Sequence, residues 1–121
     1  MPRASRCYAC FVAIELDLEI SPREFLERRE RSEEFVLLDV REHWERQTAR
    51  IEPSRHIPMA DIPSSLWELD PEKHIVVYCH HGVRSLTVAD WLRKQGYERV
   101  QSMAGGIERW SVQIDSKVPR Y

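Results

Sequence analysis

The chain has 121 residues, enough for one domain that buries a core without help from disulfides or metals. With 42% hydrophobic and 31% charged residues, a net charge of -2 and no polybasic segment, it has a globular composition that does not favour nucleic acid as a partner. No apolar stretch approaches the roughly 20 residues of a membrane span, so no membrane partner is expected. The three cysteines, an odd number without framework spacing, favour a reducing, cytoplasmic compartment.

The beginning of the chain is predicted to be a tail or lead-in, residues 1–14, followed by a single domain at 15–121. A short apolar stretch at 7–14 follows two arginines, but acidic residues come directly after it, so no signal peptide is expected. From 14 to 20, apolar and acidic side chains alternate with a period of two. This pattern predicts a half-buried strand.

The tail carries a Cys-x-x-Cys pair, Cys7 and Cys10. Such a pair can be half of a zinc site, a redox dithiol or a resolving pair for a persulfide. No second pair and no histidine pair at finger spacing accompanies it. We therefore interpret the two cysteines as incidental thiols and expect no metal.

After the first strand, the pattern predicts alternating helices and strands. A helix is expected to begin at Pro22, because Ser21 can cap it and Glu24 completes a capping box. Two nearly continuous apolar runs, 35–40 and 74–78, predict strands buried on both faces, as in a parallel sheet. This alternation favours an α/β fold with a mainly parallel sheet. The remaining predicted elements are strands at 55–58 and 99–103 and helices within 41–50 and at 61–69, 85–95 and 107–112.

The loop after the strand at 74–78 carries the main candidate for chemistry. Ligands of parallel sheets bind at the carboxyl ends of the strands, which is where Cys79 lies. Three features should together favour a thiolate: the positive end of the next helix, the inward backbone N–H groups of the loop, and Arg84. Gly82 permits a tight turn, and Ser85 can cap the helix. An inert buried cysteine is the alternative, but this combination of residues favours a nucleophile in an anion-binding loop.

Four more residues near the strand ends are candidate site residues, and each has two interpretations. His80 and His81 can tune the thiol or touch a substrate, or they can contribute only backbone N–H groups, which we favour. Asp39 and Arg41 end the apolar run at 35–40, so they can line the pocket. A salt bridge between them that holds adjacent loops is the favoured alternative.

The loop at 79–85 resembles the active-site loop of the rhodanese family, the sulfurtransferases. Residues 38–42 are similar to that family's second-strand signature, and 104–107 with Trp110 resemble its motif near the C-terminus. The resemblance covers about 15–121. It implies a three-layer rhodanese-like fold, in which a central, mainly parallel five-stranded sheet has helices on both faces, and it implies no cofactor.

The resemblance also implies a chemistry. The Cys79 thiolate would attack the outer sulfur of thiosulfate, sulfite would leave, and a thiol, cyanide or protein acceptor would take the sulfur from the persulfide. Loop N–H groups would stabilise the developing charge, and Arg84 would hold the sulfonate oxygens. The residues that would bind the substrate are His80, His81, Gly82, Val83, Arg84 and Ser85.

The loop length bears on specificity. Four residues separate Cys79 from Arg84, one fewer than in related phosphatases and arsenate reductases, so the smaller cradle favours sulfane sulfur. Mercaptopyruvate-specific members of the rhodanese family usually lack an arginine at the position of Arg84, so the resemblance implies thiosulfate as the donor. A persulfide carrier or interaction module in a sulfur relay is the alternative, and a small cysteine-dependent phosphatase or arsenate reductase is a weaker one. Residues 49–54 depart from the family's Gly-His-Ile-Pro-Gly-Ala and keep only Ile51, which leaves the path of that loop open.

Overall fold

The structure, a computed structural model, describes residues 16–121 and arranges them around one parallel sheet. The strand order is β1-β5-β4-β2-β3, and every neighbouring pair is parallel, as the alternating pattern predicts. No helix in this described part is long and apolar enough to cross a membrane. The elements are β1 (Glu19–Ile20), α1 (Pro22–Glu30), β2 (Val36–Asp39), α2 (His43–Thr48), β3 (Arg55–His56), two 3-10 helices (Met59–Asp61 and Pro63–Glu68), β4 (Ile75–Tyr78), α3 (Val83–Lys94), β5 (Val100–Met103) and α4 (Gly106–Gln113).

The core lies on both faces of the sheet. Every residue of the central strand β4 is buried, and its alternate side chains enter two separate apolar clusters. On one face the cluster includes Val88, Ala89 and Leu92 of α3, and on the other it includes Phe25 of α1 and Trp110 of α4. Helices therefore cover both faces, which confirms the three-layer architecture.

Two elements differ from the predictions. The strand expected at 14–20 is paired only at Glu19–Ile20 within the described residues, because β1 is an edge strand that pairs with two residues of β5. The helix expected at 61–69 is a pair of 3-10 helices instead. Ser65 has a non-helical backbone, with φ -118° and ψ 16°, which interrupts the helix. Bonds of the i→i+3 type, such as those from Ser65 to Ile62 and from Leu69 to Leu66, close the turns instead. The tail at 1–14, with its two cysteines, lies outside the described residues.

The topology brings three chain segments together at the carboxyl edge of the sheet. Cys79 follows β4, Asp39 ends β2 next to it, and the Gly105–Gly106 turn follows β5 on the other side. Because parallel strands share one carboxyl edge, the residues after β2, β4 and β5 converge although they are far apart in the sequence. The candidate site is built there.

Candidate active site

The Cys79 sulfur lies at the base of the loop that joins β4 to α3. Its side chain is 1% exposed. Sγ accepts backbone N–H groups from Gly82 at 3.1 Å and Ser85 at 3.3 Å, and it lies 3.4 Å from the Ser85 hydroxyl, to which the thiol can donate. The loop therefore surrounds the sulfur with inward-facing N–H groups, an arrangement suited to binding an anion.

The helix after the loop begins earlier than predicted. α3 starts at Val83 rather than Ser85, and Gly82 precedes it with a φ of 104°, a conformation that favours glycine. The prediction that Ser85 caps the helix is wrong, because Ser85 lies in the first turn. Its hydroxyl instead shares a 2.7 Å hydrogen bond with Ser102 of β5. The first N–H groups of a helix lack intrahelical partners, and Cys79 Sγ takes the place of the capping side chain.

A second helix N-terminus fixes the backbone of the same loop. The Ile107 N–H donates to the Cys79 carbonyl at 2.9 Å, and the Glu108 N–H donates to the His80 carbonyl at 3.1 Å. The approach is so close that a Cβ on Gly106 would lie 2.5 Å from both carbonyl oxygens. The Gly105–Gly106 turn thus allows α4 to dock end-on against the Cys79 loop.

Arg84, the cation of the loop, is held by a carboxylate from another element. Its Nη1 and Nη2 donate to the two carboxylate oxygens of Glu45 at 2.7 and 2.9 Å. Glu45 lies on α2 and is 3% exposed, whereas the Arg84 side chain is 33% exposed at the rim. A bidentate pair fixes the plane of the guanidinium as well as its position. Arg84 is therefore an oriented group at the mouth of the loop.

Glu45 is expected to make the fold sensitive to acid. Burial alone would raise its pKa, but hydrogen bonds from Arg84, the Glu42 N–H and Tyr121 hold the pKa of Glu45 at about 2, below the ordinary 4.5. A carboxyl group with a lowered pKa contributes stability that is complete above its unfolded value and is lost as pH falls through its folded value. We expect the free energy of unfolding to fall by up to roughly 3 kcal/mol between about pH 5 and pH 2.

Urea denaturation at a series of pH values measures this loss. Glu45→Gln should flatten the acid slope, because the substituted side chain no longer titrates. Glu34→Gln, which alters an exposed carboxylate, is the matched control and should leave the slope unchanged. Equal slopes in the wild type and in Glu45→Gln would contradict the assignment.

Asp39 and Arg41 lie beneath the site. Both side chains have no exposed surface, and the Arg41 guanidinium donates from Nε at 2.9 Å and from Nη2 at 2.8 Å to the two Asp39 oxygens. Of the two arrangements expected, the structure shows the salt bridge, and neither side chain lines an open pocket. The pair also anchors α2, since Arg46 donates to Asp39 at 3.1 Å. These residues therefore pack beneath Glu45 and the Cys79 loop and support them.

The two histidines and Val83 are placed differently from one another. His80 is half-buried and its ring stacks on that of Tyr121, with centroids 3.9 Å apart and planes inclined by 8°. Burial, together with the charge of His81, lowers the pKa of His80, which favours the neutral imidazole. His81 is exposed and Val83 is 74% exposed. The His81 ring also packs on the His80 ring, with centroids 3.9 Å apart, so the His80 ring lies between those of His81 and Tyr121.

The stretch that departs from the expected loop pattern, 49–54, packs under the site. Ile51 is buried, and its N–H donates to the Tyr78 hydroxyl at 3.2 Å. The Ala49 carbonyl accepts Arg41 Nη2 at 2.6 Å, and Arg46 bonds Ser54. These contacts answer the question that the sequence left open: the altered loop joins the polar network around Asp39 and Arg41.

A shallow cleft lies beside the loop, with a volume of about 390 Å³. It adjoins the exposed His81 and the Gly105 turn. Arg109, which folds over Gly105, forms no ion pair with any carboxylate in the described part of the chain. The residues that line the cleft are His81, Gly105, Glu108, Arg109, Val112 and Gln113.

Sequence reasoning missed two residues of the site, Glu45 and Tyr121. Glu45 had one local signal: it stands three residues after Glu42, and the two form a reciprocal capping box at the start of α2. That signal predicts where the helix begins, but it does not predict the ion pair between Glu45 and Arg84. Tyr121 had no signal, because its contacts all depend on the tertiary fold.

The protein belongs to a class of small α/β domains that carry a thiol at the ligand-binding edge of the sheet. Its buried cysteine lies in a loop lined with N–H groups, at the carboxyl edge of a parallel five-stranded sheet. Comparison with known proteins identifies the class. The model of the rhodanese-like domain family matches residues 21–113. The chain belongs to the rhodanese-like domain family.

Particular relatives agree with this assignment. The chain is 35% identical over 101 residues to the thiosulfate sulfurtransferase GlpE of Glaesserella parasuis, covering 84% of this chain and 90% of that protein. It is 32% identical over 93 residues to a sulfurtransferase of Allochromatium vinosum, with 77% and 87% covered. A rhodanese-like domain protein of Staphylococcus aureus superposes with a TM-score of 0.75 at 25% identity, with 87% and 99% covered. These relatives support rhodanese-type sulfur transfer as the general activity.

Proposed function

We propose that this protein moves a sulfane sulfur from thiosulfate to a thiophilic acceptor through a persulfide on Cys79. The thiolate attacks the outer sulfur of thiosulfate, the S–S bond of thiosulfate breaks, and its electron pair leaves with sulfite. An acceptor nucleophile then attacks the outer sulfur of the persulfide. The bond from that sulfur to Cys79 Sγ breaks, and the thiolate is regenerated.

The observation that carries this proposal is the arrangement of backbone N–H groups around Sγ. Gly82 and Ser85 donate to the sulfur at 3.1 and 3.3 Å, from a loop that two helix N-termini hold in place. Such donors are fixed before the reaction and need no rearrangement as negative charge develops. They are placed to stabilise the negative charge that Sγ carries as it attacks and again as it leaves the transferred sulfur.

Arg84 supplies the second part of the argument. Glu45 occupies one proton of Nη1 and one of Nη2, and among residues 16–121 no other acceptor bonds the guanidinium, so its remaining N–H groups can receive an anion. We propose that these groups bind the sulfonate oxygens of thiosulfate. The short spacing between Cys79 and Arg84 favours this donor over phosphate or arsenate.

The test is the intact mass of the protein after incubation with thiosulfate, followed by peptide mapping. We expect a gain of one sulfur atom in the wild type, located on the Cys79 peptide, and release of that sulfur by cyanide as thiocyanate. Mapping is needed because the sequence contains Cys7 and Cys10 as well. Cys79→Ser is the matched control and should gain nothing.

Three outcomes would count against the proposal. A wild type that takes up no sulfur from thiosulfate would exclude this donor. Sulfur uptake that persists in Cys79→Ser would place the chemistry on another residue. Hydrolysis of an aryl phosphate that depends on Cys79 would revive the phosphatase alternative.

A second candidate, a persulfide carrier in a protein sulfur relay, is supported by the surface around the loop. Val83 is 74% exposed at the rim and Trp44 is 60% exposed on α2, so apolar groups flank the mouth. In a reducing cytoplasm, where Cys79 stays a free thiol, both small thiols and protein thiols are available as acceptors. Rapid persulfide formation with very slow release to cyanide would favour the carrier.

A further inference from the structure

Tyr121 contacts the active-site loop although it comes long after the loop in the sequence. Its ring stacks on His80 at 3.9 Å and meets the Trp44 ring edge-on at 5.8 Å. Stacking of this kind orients both rings and favours one position of each. The segment at 114–121 therefore ends against the residue that directly follows the nucleophile.

The hydroxyl group of Tyr121 joins two charged residues of the site. It accepts a hydrogen bond from Arg41 Nη1 at 2.7 Å and donates one to Glu45 Oε2 at 2.9 Å. The same oxygen, Glu45 Oε2, accepts Arg84 Nη2 at 2.9 Å. A continuous chain of hydrogen bonds thus runs from the buried Arg41 through Tyr121 and Glu45 to Arg84 at the rim.

The segment is anchored independently of Tyr121. Val118 packs against the apolar cluster that contains Trp110, and Arg120 forms an ion pair with Glu108. Burial raises the pKa of Tyr121 to about 12, so the hydroxyl keeps the proton that it donates to Glu45. The hydroxyl is therefore still a donor at neutral pH.

We propose that Tyr121 is a positioning residue of the sulfur-transfer site, which fixes the direction of Arg84 through Glu45 and the orientation of His80 by stacking. The proposal rests on the proposed function, since Arg84 is the group that would receive the sulfonate. Tyr121 transfers no proton and touches no reacting atom. Its effect is on how well Arg84 is aligned with an incoming anion.

One variant isolates the hydroxyl from the ring, and a second is its control. Tyr121→Phe keeps the stacking on His80 but removes the donor to Glu45, which leaves the Glu45–Arg84 pair less constrained. We expect the KM for thiosulfate to rise about tenfold with a smaller change in kcat, as suits the loss of one hydrogen bond to a charged group. Lys117→Gln changes an exposed charge in the same segment without touching the hydroxyl, and it should behave as the wild type.

A second readout does not depend on turnover. The ratio of Cys79 alkylation rates with iodoacetate, an anion, and iodoacetamide, a neutral reagent, reports the positive charge presented at the sulfur, and peptide mapping separates Cys79 from the other cysteines. This ratio should fall several-fold in Tyr121→Phe. If the wild type takes no sulfur from thiosulfate, the proposed function fails, while the alkylation ratio still tests the role of Tyr121.

A double variant tests the route of the effect. If Tyr121 acts through Glu45, adding Tyr121→Phe to Glu45→Gln should change the alkylation ratio no further. Additive effects, or a Tyr121→Phe variant with the wild-type KM and the wild-type ratio, would overturn the proposal. Thermal unfolding of each variant confirms that the protein compared is folded.

Discussion

Asp39→Ala is expected to lower the free energy of unfolding by about 3–5 kcal/mol, because it leaves a buried guanidinium without its counter-ion. Asp39 and Arg41 have no exposed surface. The carboxylate accepts the backbone N–H and the side chain of Arg41 as well as Arg46 and the Tyr78 hydroxyl. Burial opposes its charge, but these bonds from Arg41 and Arg46 prevail and lower the pKa of Asp39.

Denaturation by urea, with the midpoint and the slope both recorded, measures this effect. The matched control is Glu68→Ala, which breaks the ion pair with Arg55 at 2.9 Å on the surface. Exposed pairs contribute about 0–1 kcal/mol, so the control should remain close to the wild type. Similar losses of unfolding free energy in the two variants would show that the buried pair contributes no more stability than the exposed pair. Activity should fall with Asp39→Ala as well, since Arg41 supports both Tyr121 and the stretch at 49–54.

The features that the sequence predicted well depend on local patterns. The apolar run before Cys79 predicted a strand buried on both faces, and β4 is the central strand with every residue buried. Ser21 predicted the start of α1, and its hydroxyl accepts the Glu24 N–H at 3.0 Å. Gly96 predicted the end of α3, which closes at Lys94. In each case the residues that decide the structure lie within a few positions of one another.

The features that the sequence could not predict depend on distant partners. α3 begins at Val83 because a sulfur from the preceding strand end caps it, and no helix-start rule includes a cysteine in that place. The sequence predicted Arg84 as the cation of the loop but not its partner, Glu45 on another helix. That pairing needs α2 and α3 to converge at the carboxyl edge of the sheet, which follows from the strand order and not from a pattern within either helix.

The same reasoning explains the length of the first strand. An alternating pattern at 14–20 shows which side chains face the core, but the number of paired residues depends on the neighbour. β1 lies at the edge of the sheet, and within residues 16–121 it pairs with β5 at Glu19 and Ile20 alone, with one further bond from the Ser102 N–H to the Leu18 carbonyl at 2.7 Å. The partner strand therefore limits the paired length.

Gly106→Ala is expected to disable the site and to destabilise the fold. The new Cβ would lie 2.5 Å from the carbonyl oxygens of Cys79 and His80, which are backbone atoms with little freedom to move. The residue also has a φ of 60°, where an alanine is strained. α4 must then withdraw from the loop, and the bonds from Ile107 and Glu108 to these two carbonyls are weakened or lost. Overpacking of this kind costs about 1–3 kcal/mol, to which the lost hydrogen bonds add.

Gly96→Ala is the matched control, because Gly96 has a φ of 98° but a Cβ added there would meet no atom within 4 Å. It should lose only about 1 kcal/mol from backbone strain and keep its activity. In Gly106→Ala, displacement of the loop by about 1 Å should reduce sulfur transfer roughly a hundredfold even at temperatures where the protein is folded. Steady-state kinetics and thermal unfolding of both variants separate the loss of activity from the loss of stability. Equal activity in the two would mean that α4 does not fix the loop, whereas loss in Gly106→Ala alone would show that the N-terminus of α4 holds Cys79 and His80 in place for the reaction.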